Sequence, residues 1–476
     1  TFIEMISNPS HYFRSKKVKP PRGNFECQFI DAFTMDEVDQ GDDSDEEEPS
    51  KKWSYQGKFV VYFFGITKDS ETVCVQVNGY RPSFFMGVPS NWTKQDTYAL
   101  RQHLTDKNTK YVDNWGKEKK LKWFNTNLYI KMVKRQKFDG FQTKKIHKFV
   151  EIIFNSSIAM SRTRKYLESL NEKPLKLKNS RRIPIKLYEA DLLPLLRMCH
   201  KRDITPCSWV KLKKGKYCYN SVKTDKKSFC QYEFSVDWTN LYPSDCEEIA
   251  QVLVASYDIE CTSGDGSFPQ PTRPADKLTQ IGTTVRMFNN PDYEVNHIIT
   301  LKSCSRFDDN PNTIVEAYET EAEVIMAWQK FIRKIDPDII TGYNILGFDY
   351  NYLYERARMF GLVEEEEERF GYLGRLNIDS FEPVSFVRKK LLSTLTEKSL
   401  SSAALGDNKM KMMTMIGRIN IDLLNFVRRT QKFKSYKLDF VSTKLINGNI
   451  NHCEIIDNGL CRLLVDNTLG LFKGGY

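Results

Sequence analysis

One segment constrains the chain more than any other. Val252-Leu253-Val254-Ala255-Ser256-Tyr257 is short and almost continuously apolar, and it runs straight into Asp258-Ile259-Glu260. A run of this kind reads as a strand buried on both faces. Gln280–Phe288 and Ile298–Leu301 read as neighbouring strands. Thr320–Ile335 is apolar at helical spacing, through Val324, Ala327, Trp328, Phe331 and Ile332. Ile339–Asn344 is a second buried strand with its exit, followed by a helix from about Asp349 to Phe360; the run Glu364–Glu368 reads as its solvated end. Strand and helix alternating at this spacing predict an α/β unit, a central mixed sheet with flanking helices.

Upstream the pattern differs. Residues 57–88 hold three β-branched and aromatic runs with turn residues between them, and Ile183–Tyr188, Trp209–Leu212 and Tyr232–Val236 are further strands. Helices are expected at 94–105, 160–170 and about Leu192–Lys201. The 476 residues suffice for about three domains. The change of pattern near 245–250 instead divides them into two: an α+β portion, 1–247, and the α/β portion, 248–476.

The chemistry gathers at two points. Asp258 and Glu260 are two apart on a strand, so both carboxylates project from one face while Ile259 packs behind. Close carboxylates repel unless a cation stands between them, and hard oxygen ligands suit Mg²⁺ or Mn²⁺. The blander reading is a strand end with solvated acids. The second point is Gly342-Tyr343-Asn344-Ile345-Leu346-Gly347-Phe348-Asp349. There Asp349 would complete a metal site, Asn344 would hydrogen-bond a nucleotide and Phe348 would stack on it. Alternatively Asp349 simply caps the following helix.

These residues carry a resemblance. Tyr257-Asp258-Ile259-Glu260-Cys261 with Phe268-Pro269-Gln270-Pro271 resembles the first exonuclease motif of family B DNA polymerases. Asp336 through Asn344, then Phe348-Asp349, resembles the second, and Gly417–Asp422 followed by Ser435–Leu438 resembles the stretch leading to the third. The similarity is greatest to delta-type replicative enzymes, including those of large DNA viruses. It implies a ribonuclease H-like 3′→5′ exonuclease domain behind the family's amino-terminal domain. Two divalent ions (Mg²⁺ or Mn²⁺) would be held by Asp258, Glu260 and Asp349 as the catalytic residues, one activating water and the other stabilising the leaving oxygen. Asn344, Phe348 and Tyr257 would contact the single-stranded 3′ end. The intact enzyme would extend primer-template DNA with dNTPs and proofread, with a processivity factor as partner, in the nucleus or at a viral replication site.

Two look-alikes are set aside. His452 to Asp457 fits a His-x-x-x-x-Asp variant of the third motif but lies too close to Tyr436; four residues beyond Tyr436 stands Phe440, where that motif needs an acid. Asp439 reads as structural. Asp237–Ser244 mimics a polymerase motif but precedes the exonuclease motifs, and reads as a boundary turn. The chain is thus expected to be an excerpt, beginning at Thr1 and stopping before the third motif, and not to polymerise alone. The alternatives are an inactive DNA-binding scaffold on the same fold and a standalone exonuclease.

The composition of the basic stretch leaves two readings open, a nucleic-acid partner or solvated helix faces with aromatic core residues between them. Residues 104–227 hold 32 Lys and Arg against 11 Asp and Glu, with aromatic residues interleaved, within a net charge of +10. Repeated cations suit phosphates and exposed rings suit unpaired bases. Nine of the thirteen residues Asp36–Glu48 are acidic, which predicts a disordered loop over about 36–52. The eleven cysteines lack a close Cys-x-x-Cys pair and read as reduced thiols, so secretion is not expected. No apolar run is long enough for a membrane span.

Overall fold

The computed structural model describes residues 14, 18–37, 57–106, 110–112, 118–120, 128–137, 145–170, 173–177, 181–222, 226–305, 313–364, 369–381, 391–402, 406–448, 450–456 and 460–465. The Val252 run becomes the strand Leu253–Cys261. Its Leu253, Ala255, Tyr257 and Ile259 are buried, whereas Val254 and Ser256 are half-buried and Asp258 and Glu260 are exposed. The expectation of burial on both faces is therefore corrected. Only one face is fully covered, because the helices Glu321–Ile335 and Asp349–Met359 both join the core that holds these four residues.

This strand sits inside a six-stranded mixed sheet ordered Thr313–Tyr318, Asn290–Leu301, Leu278–Met287, Leu253–Cys261, Ile339–Gly342, Ile419–Asp422. It pairs antiparallel with Leu278–Met287 and parallel with Ile339–Gly342, which in turn runs parallel to Ile419–Asp422. The carboxyl ends of these three parallel strands thus lie side by side, and Asp258, the turn after Gly342 and Asp422 all sit there. The helix Glu321–Ile335 starts on a capping box, with Thr320 and Glu323 satisfying each other's backbone N–H, and ends on Asp336 in the left-handed conformation (φ 53°). Its Trp328 is fully buried, with its ring 4.9 Å from that of Tyr257.

Before residue 245 lie a seven-stranded sheet, from Tyr217–Tyr219 at one edge to Leu241–Pro243 at the other, and a four-stranded sheet. The latter is ordered Leu187–Tyr188, Ser83–Gly87, His147–Ile153, Tyr129–Arg135, and the helices Lys94–Leu104 and Ser157–Ser169 share a core with it. The expected strand Ile183–Tyr188 is two short strands, Arg182–Ile183 and Leu187–Tyr188, since Pro184 between them has no N–H to give a ladder. Phe25–Glu37 forms a long strand that the expectations above do not include. It takes Asp36 and Glu37 out of the expected acidic loop; residues 38–52 of that loop lie outside the described residues. Asp36 instead accepts the N–H groups of Ser157 (2.8 Å) and Ile158 (3.0 Å) at the start of a helix. Glu37 accepts the Tyr62 hydroxyl and pairs with Lys227 at 2.6 Å.

The two parts of the chain are not independent in packing. Leu376, Ile378, Phe381 and Leu391 share a core with Val60, Tyr62, Phe64 and Cys230. A buried ion cluster also bridges them. Arg375 binds Asp336 (2.8 Å) and Asp338 (2.7 Å), Arg418 binds Asp336 (2.6 Å), and Arg14 donates to Asp338 Oδ1 (3.0 Å) and the Asp336 carbonyl (2.8 Å). Asp31 accepts the Gly417 N–H at 2.7 Å. Burial pushes the Asp336 carboxyl up, but Arg375, Arg418 and Arg14 more than offset it and hold it at about 2.

The look-alike at Asp237–Ser244 is a single 3₁₀ turn, Trp238–Asn240, capped by Asp237, leading into the edge strand Leu241–Pro243. His452 lies on an exposed hairpin, Ile450–Ile456 with Leu460–Val465; Asp457 is outside the described residues. All eleven cysteines are free. Among the described residues, no helix is long and apolar enough to cross a membrane.

Candidate active site

Asp258 and Glu260 project from the exposed face of their strand, as their spacing requires. Asp349 reaches the same strand end from the adjacent parallel strand. The connection is tight: a Cβ at Gly342 would lie 2.5 Å from the Tyr257 carbonyl oxygen, so only glycine lets the Ile339 strand turn there. The next turn is bent by Asn344, whose φ is +66°. Its carbonyl accepts the N–H groups of Gly347 (2.9 Å) and Phe348 (3.0 Å), and its side-chain oxygen lies against Gly347.

Asp422 holds this turn from the neighbouring strand. One carboxylate oxygen accepts the Asn344 N–H (3.0 Å) and the Leu424 N–H (2.9 Å); the other accepts the Leu346 N–H (3.0 Å). It therefore caps the helix Leu423–Thr430 and fixes the left-handed residue of the turn together. The hairpin Leu395–Ser402/Gly406–Met413 adds a second brace, from Lys411 N–H to the Leu346 carbonyl (2.8 Å) and from its ammonium to Asn351 (2.9 Å).

Asp349 is the first residue of its helix rather than its N-cap, which is Phe348 and makes no side-chain cap bond. Only 2% of Asp349 is exposed, and its Oδ1 has no hydrogen-bond partner. Burial, then the Asp258 carboxylate, pushes its carboxyl up to about 8, against the pull of the backbone N–H groups of Asp349 and Ile259. A buried carboxylate with an orphaned oxygen beside a second carboxylate is the donor arrangement that a hard divalent cation relieves. Among the described residues no three acidic, histidine or cysteine side chains converge closely enough to enclose an ion, so Asp258, Glu260 and Asp349 do not form a closed cage.

The structure separates the expected nucleotide contacts. Phe348 is half-buried at the mouth, and its ring meets the 67% exposed Phe268 edge-on at 5.1 Å. Tyr257 is not with them. It is 2% exposed on the opposite face of its strand, between Trp328 and Tyr350 (5.6 Å), so it packs the core and presents no ring to a ligand. Sequence reasoning assigned no role to Asp422 or Phe268. The signal for Asp422 was its place between a strand and a helix start, and for Phe268 an aromatic residue in a Pro-containing loop.

The family model for the DNA polymerase family B exonuclease domain matches residues 185–441, more than half of the chain. The chain belongs to DNA polymerase family B. This family B chain is 29% identical over 478 residues to the DNA polymerase of Acanthamoeba polyphaga mimivirus, covering 89% of the chain and 26% of the relative. It is 30% identical over 389 residues to the DNA polymerase delta catalytic subunit of Dictyostelium discoideum, covering 81% and 32%. It spans about a quarter to a third of the length of these relatives. Among solved structures, the family B DNA polymerase of the hyperthermophilic archaeon Pyrobaculum calidifontis aligns with 88% of the chain and 39% of its own length, at 18% identity and a TM-score of 0.49.

Proposed function

We propose that this family B chain is the amino-terminal (1–247) and 3′→5′ exonuclease (248–476) portion of a replicative DNA polymerase. The observation that carries the reading is the buried, orphaned Asp349 oxygen set against Asp258 at the end of the sheet strand. Asp258 and Asp349, with Glu260 on the same strand face, would hold Mg²⁺ or Mn²⁺. Bound there, divalent ions supply an activated water and stabilise the leaving 3′-oxygen. The chain's own residues do the rest. Phe348 and Phe268 form an aromatic pair onto which an unpaired terminal base can stack. The Asn344 turn, clamped by Asp422, fixes where that base meets the carboxylates. Duplex DNA offers no unstacked end, so the site favours a frayed or mispaired terminus.

The whole protein would then add dNTPs to primer-template DNA and proofread, in a nucleus or at a viral replication site, with a processivity factor. A second reading, a DNA-binding scaffold without catalysis, draws on the three acids not closing into a metal cage among the described residues. Mn²⁺ titration followed by electron paramagnetic resonance separates them. Saturable binding lost in Asp258→Ala plus Asp349→Ala supports the exonuclease; binding that survives both changes shows that the ligands are elsewhere. In the gene's full product, those substitutions should abolish release of nucleotides from a labelled 3′ end.

A further inference from the structure

The outer face of the four-stranded sheet is unused by this chemistry. Its register sets Lys131, Val133 and Arg135 of the edge strand opposite Glu151, Phe149 and His147, and Phe85 opposite both Glu151 and Tyr188. The alternate residues, Phe84, Met86, Ile130, Val150 and Ile152, are in the core with the two helices, so the first set occupies the other face. Rings and cations are interleaved there. Tyr188 is half-buried and stands edge-on to Phe149 at 5.2 Å. The ammonium groups of Lys137 and Lys186 lie 5.8 and 5.4 Å from its ring centre, and the Arg197 guanidinium lies 4.8 Å over Phe85.

The acids of this face are already matched. Glu151 accepts the Ser83 hydroxyl at 2.9 Å and has Lys201 at 3.9 Å; Glu189 pairs with Arg197. Lys131 and Arg135 remain exposed beside them.

We propose that this face binds single-stranded DNA, with phosphates on Lys131 and Arg135 and a base on the Tyr188 ring. The basic surplus of residues 104–227 supplies the charge complementarity. An acidic peptide would satisfy the cations but leave the half-buried Tyr188 ring unused, and a duplex keeps its base faces stacked. Lysines over a half-buried ring hold it more weakly than a stacked base does, so Lys137 and Lys186 are movable covers rather than a seal. The inference deepens the DNA-binding part of the reading above and does not depend on the carboxylates.

Fluorescence anisotropy of the whole chain in EDTA tests it, with labelled dT and rU 12-mers and a blunt duplex as probes. Lys131→Glu plus Arg135→Glu should weaken 12-mer binding at least tenfold and flatten the salt dependence of log Kd by about 1.4, at ~0.7 per phosphate contact. Tyr188→Ala should cost about tenfold on the single strands and leave the duplex unchanged. The rU 12-mer should bind no more tightly than the dT 12-mer; clearly tighter rU binding would overturn DNA as the occupant. Circular dichroism checks folding, and if the charge reversal unfolds the chain, Lys131→Gln plus Arg135→Gln gives the same readout. Unchanged affinity and salt slope in the folded variants overturn the proposal. So does loss of all 12-mer binding in Phe268→Ala plus Phe348→Ala, which would leave the exonuclease reading intact. Failure of the Mn²⁺ titration with the charge-reversal effect preserved would do the reverse.

Discussion

Replacing Asp422 by Ala tests how the exonuclease turn is held. The substitution removes a 5% exposed carboxylate and leaves three backbone N–H groups, of Asn344, Leu346 and Leu424, without their acceptor. A hydrogen bond to a charged group is worth about 1.5–3 kcal/mol. Loss of an N-cap alone costs ~1 kcal/mol. The three bonds share one side chain and do not add, and burying the carboxylate offsets part of the gain, so the expected loss is about 3 kcal/mol. The left-handed Asn344 should relax once its N–H is released, since that conformation costs of order 1–3 kcal/mol for a residue other than glycine. Urea unfolding measures the stability, and 3′-end binding by a dT 12-mer carrying 2-aminopurine at its terminus measures the turn. We expect Asp422→Ala to lower the urea midpoint and to abolish the terminal stacking signal, with Asp422→Asn intermediate, because an amide oxygen restores an uncharged acceptor. A destabilisation below about 1 kcal/mol with the stacking signal intact would refute the clamp.

Other expectations follow from the same geometry. In metal-free protein, Asp349 protonates more readily folded than unfolded, so its contribution to stability is full below pH 3.8 and is lost as pH rises through about 8. Asp349→Asn should remove that dependence and stabilise the metal-free chain at pH 8 by a few kcal/mol (at most ~5, given its coupling to Asp258), and a pH slope unchanged by the substitution would count against it. Arg375→Met leaves Asp336 and Asp338 short of their buried partner and should cost about 3–5 kcal/mol in urea unfolding. Asp336, held low, contributes stability above pH 3.8 that is lost as pH falls through about 2; wild type should show this loss, and Asp336→Asn should not. Trp328→Ala empties the space under Tyr257 and should cost ~3–5 kcal/mol. Retention of Mn²⁺ binding by the folded remainder would show that Trp328 packs the sheet without shaping the site.

Local pattern was enough for the elements around the site. The apolar run ending in Asp-x-Glu, the helical spacing of Val324 to Ile332 and the Gly-Tyr-Asn turn are properties of neighbouring residues, and each became the element expected. The two-residue period also put Asp258 and Glu260 on one face. The same alternation places Tyr257 on the other, against Trp328, and so is legible in the sequence. The acidic end of Phe25–Glu37 reads locally as loop, whereas Asp36 and Glu37 find partners more than twenty residues away in sequence. Only tertiary structure decided which acids meet. Asp349 lies 91 residues beyond Asp258 in the sequence, and nothing local says that a glycine-tight crossing brings them together or leaves one oxygen unpaired. Asp422 looked like any strand-end acid until the parallel pairing of its strand with Ile339–Gly342 set it under the turn. Sequence determines which residues carry charge and which period they keep; the approach of distant strands, set by packing and register, decides which charges face one another and so where the chemistry is.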